Sequence, residues 1–417
     1  MKTTTYTSLF QRSVVKTIGA AILLAAGLNV NAQNSIPDNI HIGIVYPIST
    51  HGNHAAADTN IFSLNLLGGV SSAEKGLTFS GLTNVILNNA TGLQFAGISN
   101  HVGNRSEGFL FAGVANTYKE GNGMAFAGIS NIASGKVEGA QFAGLLNTAA
   151  DALAAQFAGF TNISHNITGS QFGGFANISH DMTGSQFAGF INVAAKVKGS
   201  QFAGFSNIAG GKLTGSQFSG FLNKAGDVAG SQFAGFINIA KNVKGAQLAG
   251  FINIADSSDS PVGLLNLIKH GEKSIGISTD DNLTTLVSFR SGGRSLYGIL
   301  GAGYNFNNTE EVYAIEAGFG AHFFESRSFR LNTELAAVTL ESFKTGEYFK
   351  GSLRLLPAVR LARYFELFGG PVFNYVNTNT GEGKSLTNHY FRTWTERPEG
   401  SFQGLYIGYT GGFHFLF

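Results

Sequence analysis

Residues 184–194 read Gly-Ser-Gln-Phe-Ala-Gly-Phe-Ile-Asn-Val-Ala, and residues 199–209 repeat the block as Gly-Ser-Gln-Phe-Ala-Gly-Phe-Ser-Asn-Ile-Ala. The asparagine recurs every 15 or 16 residues, at Asn84, Asn100, Asn116, Asn131, Asn147, Asn162, Asn177, Asn192, Asn207, Asn223, Asn238 and Asn253. A Phe, once a Leu, stands five residues before nearly every one, from Phe79 through Phe172, Phe187, Phe202 and Phe233 to Leu248. A fixed short period over a long stretch means one structural unit copied and stacked.

The length of the unit narrows what it can be. A helical repeat needs about 34 residues, and a membrane hairpin needs two strands of roughly 9–11 residues plus turns. Fifteen residues suffice for one coil of a β-solenoid. Phe187 and Phe190 are three apart, so no straight strand puts both on one face, and a bend at Ala188-Gly189 resolves this. Coils about 4.8 Å apart make twelve units a rod of roughly 55–60 Å. This reading places a Phe stack inside and an Asn ladder at the turn, each inward amide pairing with the copies above and below. The stacked positions include Phe172, Asn177, Phe187, Asn192, Phe202, Asn207, Phe233 and Asn238. Regular copies run from Gly76 to Ala255. Ile61 to Val70 forms a degenerate first copy with Asn65 as its asparagine, and Val262 to Asn266 forms a shortened last one.

Composition agrees with stacked strands. Of 417 residues, 57 are Gly and 37 are Phe, while only 12% are charged. Disorder would need the opposite balance. A net charge of +2 gives no footprint for nucleic acid. The absence of cysteine excludes disulfides, thiolate metal sites and cysteine nucleophiles. Lys2, Arg12 and Lys16, the apolar stretch Ile18 to Leu28 and the small-residue site Val30-Asn31-Ala32 fit a secretory signal with a mature start near Gln33.

From about Lys273 the pattern changes to long alternating strands. Tyr313, Ile315, Ala317, Phe319, Ala321 and Phe323 share one face, with Glu316, Gly318 and His322 opposite. Leu353, Leu355, Pro357, Val359 and Leu361 oppose Arg354 and Arg360. Eight strands are expected, at 273–279, 283–290, 295–304, 312–323, 328–340, 349–361, 364–376 and 403–417, with a polar loop over 377–402. Such alternation over about ten residues is the signature of a transmembrane β-barrel. Arg290, Glu316, Arg330, Glu334, Arg354, Arg360 and Glu366 are expected to face its lumen. Eight strands leave room only for side chains, which suits a structural plug. The other reading of these charges is an ion-selective pore.

Two resemblances follow. The end of the chain, with Tyr409, Phe413, Phe415 and a terminal Phe417, resembles the last-strand signal of Gram-negative outer-membrane proteins, which implies recognition by the barrel-assembly machinery. The repeats resemble bacterial surface-repeat proteins of Bacteroidota and spirochaetes, whose units read Gly-x-Gln-x-x-Gly-x-x-Asn-x-Ala. Gly184, Gln186, Gly189, Asn192 and Ala194 fit, as do Gly230, Gln232, Gly235, Asn238 and Ala240. That resemblance implies an envelope location and no particular activity.

Catalytic signatures are missing: no HExxH, GxSxG, P-loop or CxxC occurs. His165 and His180 hold equivalent places in successive units, either as turn histidines or as a weak metal pair. Lys196, Lys198, Lys212, Lys241 and Lys244 fall on one third of the later coils, either as a solvated face or as a basic stripe for acidic sugars. The expectation is therefore an all-β chain: a signal peptide over 1–32, a strand and linker over 33–60, a β-solenoid over 61–270, and an outer-membrane-type barrel over 271–417. Its expected role is non-enzymatic, a structural or adhesive scaffold on a barrel anchor, without cofactor or metal. Outer-membrane lipids, the assembly machinery and surface glycans or host ligands are its expected partners. The alternative is a pore or transport component gated or plugged by the solenoid. If the barrel is only the C-terminal strands, the rod lies in the periplasm. If Ile40 to Ser49 is also a barrel strand, the rod is an insertion that can lie outside.

Overall fold

The computed structural model describes residues 39–395 and 401–417, apart from Arg294 and Thr345. The expected signal sequence lies outside the described residues. The chain is an all-β molecule, with about 14 coils of solenoid followed by a closed antiparallel barrel of eight strands.

The rod begins earlier than expected. Ile40–Val45 pairs in parallel with Thr59–Ser71, so the N-terminal strand is a rung of the solenoid rather than a linker or a barrel strand. The array closes where Leu265–Ile268 pairs on Ile252–Ala255. In a regular coil a short strand carries the Asn, as in Ile191–Ala194, and a longer one carries the Gln, as in Lys196–Ala203. The rungs between coils are parallel, and in the regular coils equivalent residues pair, for example Asn192 on Asn207 and Gln201 on Gln217. The expected bend is present at Gly189, where a Cβ would lie 2.1 Å from the Gly174 carbonyl oxygen. Gly199 has φ +143°, and a Cβ there would lie 1.7 Å from the Gly184 carbonyl oxygen, so this corner favours glycine, with Ala154 standing in the column in one coil.

The Phe stack does not lie inside. Asn192 and Gln201 are fully buried, whereas Phe172, Phe187 and Phe218 are 37% exposed and face outward. Strand parity gives the reason. Along Lys196–Ala203, Lys198 and Phe202 both point outward, on either side of the Gly199 corner, and Val197 and Gln201 both point inward. Turning Phe202 inward would bury an unpaired lysine in each such coil, which is far costlier than burying a paired amide. Val197 instead joins a buried apolar column with Ile167, Met182, Leu213, Val228 and Val243.

The Asn and Gln ladders bond their buried amides from coil to coil. Asn192 Nδ2 donates to Asn207 Oδ1 at 2.9 Å and to the Phe202 carbonyl at 2.7 Å. Gln201 Nε2 donates to Gln186 Oε1 at 2.8 Å. The Asn column ends at Asn266, which accepts from Asn253 at 2.8 Å. At its other end Gly69, not Asn65, pairs with Asn84 in the ladder register. Asn65 stands four residues earlier, and its amide fills the space beside Gly69, 2.2 Å from where a Cβ would sit.

The barrel strands are Lys273–Asp280, Thr284–Gly292, Leu296–Asn305, Tyr313–Phe323, Phe329–Glu341, Tyr348–Ala362, Phe365–Thr378 and Phe402–Leu416. Closure is made by the first and last of these, with Ile275 opposite Phe415. The stretch expected as a polar loop is partly ordered structure. It forms a short helix at Gly381–Ser385 and a strand at Tyr390–Thr395 that pairs with Phe402–Leu416 beyond the reach of the first strand. Among the described residues, no helix is long and apolar enough to cross a membrane.

Candidate functional site: the aromatic face and the charged lumen

The outward Phe residues form two ladders. One runs from Phe79 to Phe233 with ring centroids 4.7–5.0 Å apart in successive coils, as for Phe95–Phe111 and Phe202–Phe218. The other runs from Phe160 to Phe251, with spacings such as 4.8 Å for Phe190–Phe205 and 5.2 Å for Phe236–Phe251. Ile163, Ile178 and Ile254 belong to a third outward column, which Lys224 interrupts. Beside the first ladder the Ala-Gly corners leave a groove of about 1500 Å³ from Ser80 to Leu248. A compact ligand site measures roughly 300–1,000 Å³, so this is a long apolar trough rather than a pocket.

The opposite side of the rod is polar, and its lysines do not form one basic stripe. Lys196 pairs in register with Asp181, whose carboxylate lies 3.7 Å away. Leu213 bridges Val228 in register, which places Lys212 beside Asp227. His165 and His180 stack at 4.9 Å, and His180 lies 3.2 Å from Asp181. No group of three or more His, Cys, Asp or Glu side chains suited to a metal occurs among the described residues.

A buried carboxylate missed in the sequence occupies the first coils. Glu74 is 2% exposed and accepts from Asn60 at 3.1 Å, Ser63 at 2.9 Å and Thr78 at 3.0 Å. Burial pushes its carboxyl above the ordinary carboxylate value, and the donors pull partly back. The signal was present: Glu74 stands five residues before Phe79, as Val197 stands before Phe202.

The lumen gathers the expected charges into two ion-paired groups, one around Glu334 and one around Glu366. Arg290 Nε meets Glu334 Oε1 at 2.8 Å, and Arg354 meets Glu316 at 2.6 Å and Glu334 at 3.3 Å. Arg330 Nε reaches Glu366 at 2.8 Å, and His414 joins Glu366 at 3.1 Å. Glu316, Glu334 and Glu366 are fully buried. Arg360 differs from the others: it is half-buried, bridging Glu272 at 3.4 Å and Glu325 at 3.5 Å. Lys350, paired with Asp280, and Tyr297, which donates to Glu334 at 3.0 Å, belong to the lumen and were not singled out in the sequence. Leu286, Val338, Leu340, Tyr348, Leu386 and Tyr406 form an apolar cluster within the barrel, Leu386 lying just beyond the short helix. Two spaces of about 10 Å³ each lie among these charges, one bordered by Arg290 and Arg330 and the other by Lys350 and Arg354. Each suits a single water molecule.

The outer wall is apolar. Leu335, Ile407 and Leu361 are more than 60% exposed. The aromatics expected as an assembly signal, Tyr409, Phe413, Phe415 and Phe417, all face outward.

The last coil of the rod meets the outer wall of the barrel. Asn266 Nδ2 donates to the Ser291 carbonyl at 3.0 Å, and its backbone N–H donates to Ser291 Oγ at 2.9 Å. A Cβ on Gly298, an outward position of Leu296–Asn305, would lie 2.1 Å from the Gly263 carbonyl oxygen and 2.3 Å from that of Leu264.

These features define a class: a parallel β-solenoid capped by a filled, eight-stranded, apolar-walled barrel. No known family, no curated protein and no solved structure matches the chain.

Proposed function

We propose that this chain is a non-enzymatic outer-membrane protein in which the barrel is a closed anchor and the solenoid a structural scaffold. The filled lumen carries the anchor reading. Ion pairs and an apolar cluster occupy the barrel interior, and the two spaces bordered by these charges measure about 10 Å³ each. The apolar wall fits lipid contact, and the outward terminal aromatics fit the signal read by the barrel-assembly machinery. These lipids and that machinery are the proposed partners.

The loops support one orientation. At the end where the strand Lys273–Asp280 begins, the connections are short, as between Gly292 and Leu296 and between Ala362 and Phe365. At the other end Thr378 and Phe402 are joined by a long excursion with its own helix and strand. Short turns face the periplasm and long loops the exterior in such barrels. The rod enters at the short-turn end, which favours a periplasmic scaffold over a displayed adhesin.

Planar-bilayer recording of the refolded full chain tests the anchor reading. The expected trace shows no steps above the bare bilayer, and reproducible unitary steps would establish the pore instead.

A further inference from the structure

The rod exposes more apolar surface than a water-surrounded protein tolerates. Isolated patches on soluble monomers reach about 300–600 Å², whereas here apolar columns run along most of the array. In one coil the outward residues run Phe187, Phe190 and Val193 on one side and Lys196 and Lys198 on the other. The rungs that join residues 176–178, 191–193 and 206–209 are in register, so the two-sidedness carries through these coils, and Lys224, opposite Ile208 and Ile239, interrupts the third column further along.

The junction sets which side faces which way. The carbonyl of Phe251 accepts from the N–H of Leu265 in the next coil at 2.9 Å, so this position points along the rod axis. In the last coil the equivalent carbonyl, that of Leu264, points at outward Gly298. The rod axis therefore runs into the barrel wall from the side. Leu264, which ends the ladder through Phe236 and Phe251, shares a depression of about 470 Å³ with Phe319, Leu335 and Leu353 on the apolar wall. At the edge of the apolar side, Lys241, Asp256 and Lys269, with Ile239 and Ile254 of the third column, share a depression with Lys273, at the short-turn end. The aromatic side thus continues the lipid-facing wall, and the polar side turns toward the short-turn end.

We propose that the solenoid lies along the short-turn-side leaflet of the membrane that holds the barrel, with its aromatic side sunk into the hydrocarbon. The inference rests on the barrel being a membrane anchor. An element with one apolar and one lysine-bearing side lies in the plane of the interface, as amphipathic helices do. The backbone permits it, because rungs between coils satisfy the N–H and C=O groups that hydrocarbon would leave unpaired. The continuous apolar wall favours the bilayer over a second copy or a soluble peptide. The trough beside the first Phe ladder then takes acyl chains.

The test uses the full chain in vesicles whose acyl chains carry bromine, with the single Trp removed by Trp394→Phe. Reporter tryptophans are placed by Leu335→Trp on the barrel wall, Phe205→Trp or Phe175→Trp on the aromatic side, and Lys198→Trp on the polar side. We expect blue-shifted emission and severalfold quenching at 335, 205 and 175, and neither at 198. Quenching at 335 with water-exposed, unquenched emission at 205 and 175 would overturn the inference and leave the anchor standing. Blue-shifted but unquenched emission at 205 and 175, with dimers on cross-linking, would overturn it in favour of a second copy. An unquenched reporter at 335 would overturn both readings.

Discussion

The carbonyl oxygen of Leu264 lies against the outward surface of Gly298, so close that a Cβ at 298 would come within 2.3 Å of it. This contact, with the bonds from Asn266 to Ser291, is where the barrel wall caps the open end of the rod. A solenoid end must be covered, because its last coil has unpaired edges. Gly298→Val should open the junction without opening the barrel. Trypsin should then cut after exposed Lys269 and release rod from barrel, whereas the parent stays intact. Heat-dependent mobility of the barrel fragment on a gel should be unchanged.

The amide ladder makes a second prediction. Asn192→Ala removes the acceptor of Asn177 and the donor to Asn207. Leaving buried partners unpaired costs about 1–3 kcal/mol. Urea unfolding of the full chain should show a loss of that size in the solenoid transition. Lys198→Ala, on the exposed side of a neighbouring rung, should change it by no more than about 0.5 kcal/mol.

Glu74 makes a pH-dependent prediction. Its folded-state pKa is raised by burial, so the folded chain holds the proton more tightly than the unfolded one. Its stabilising contribution is complete below the ordinary carboxylate value and is lost as pH rises through the folded value. Relative to Glu74→Gln, the parent should lose stability as pH climbs over that window and level off above it. Thermal melts of both proteins across the acid range will check this. A parallel course for the two would contradict the assignment.

Much of this was legible in sequence, and the failures share a physical cause. Period and length identified the coil, and alternation located the barrel strands within one or two residues. The inward placement of Phe187 and Phe202 failed because hydrophobicity was weighed residue by residue. Parity tied Phe202 to Lys198 and Gln201 to Val197, and the same count exposes Glu74 as an inward residue. Asn65 misled because its amide fills the ladder site from a different backbone position. The junction at Gly298 could not be read at all, since nothing local in a strand glycine marks what lies against it.

The lumen network predicts a strong asymmetry between single and double changes. Glu334→Gln deprives Arg290 and Arg354 of a buried partner. Breaking a buried pair typically costs about 3–5 kcal/mol. The barrel should unfold at a clearly lower temperature in micelles. Arg290→Met combined with Glu334→Leu should recover part of the loss, because an apolar pair of similar volume needs no counter-charge.

The side of the membrane on which the rod lies is the most direct test of the account. The chain has no cysteine, so single cysteines report without background. Lys344→Cys, at the long-loop end, and Lys198→Cys, on the polar side of the rod, would be exposed to a membrane-impermeant maleimide on intact cells. Labelling is expected at 344 on intact cells, and at 198 only after the outer membrane is permeabilised. Labelling at 198 on intact cells, with 344 protected, would contradict it.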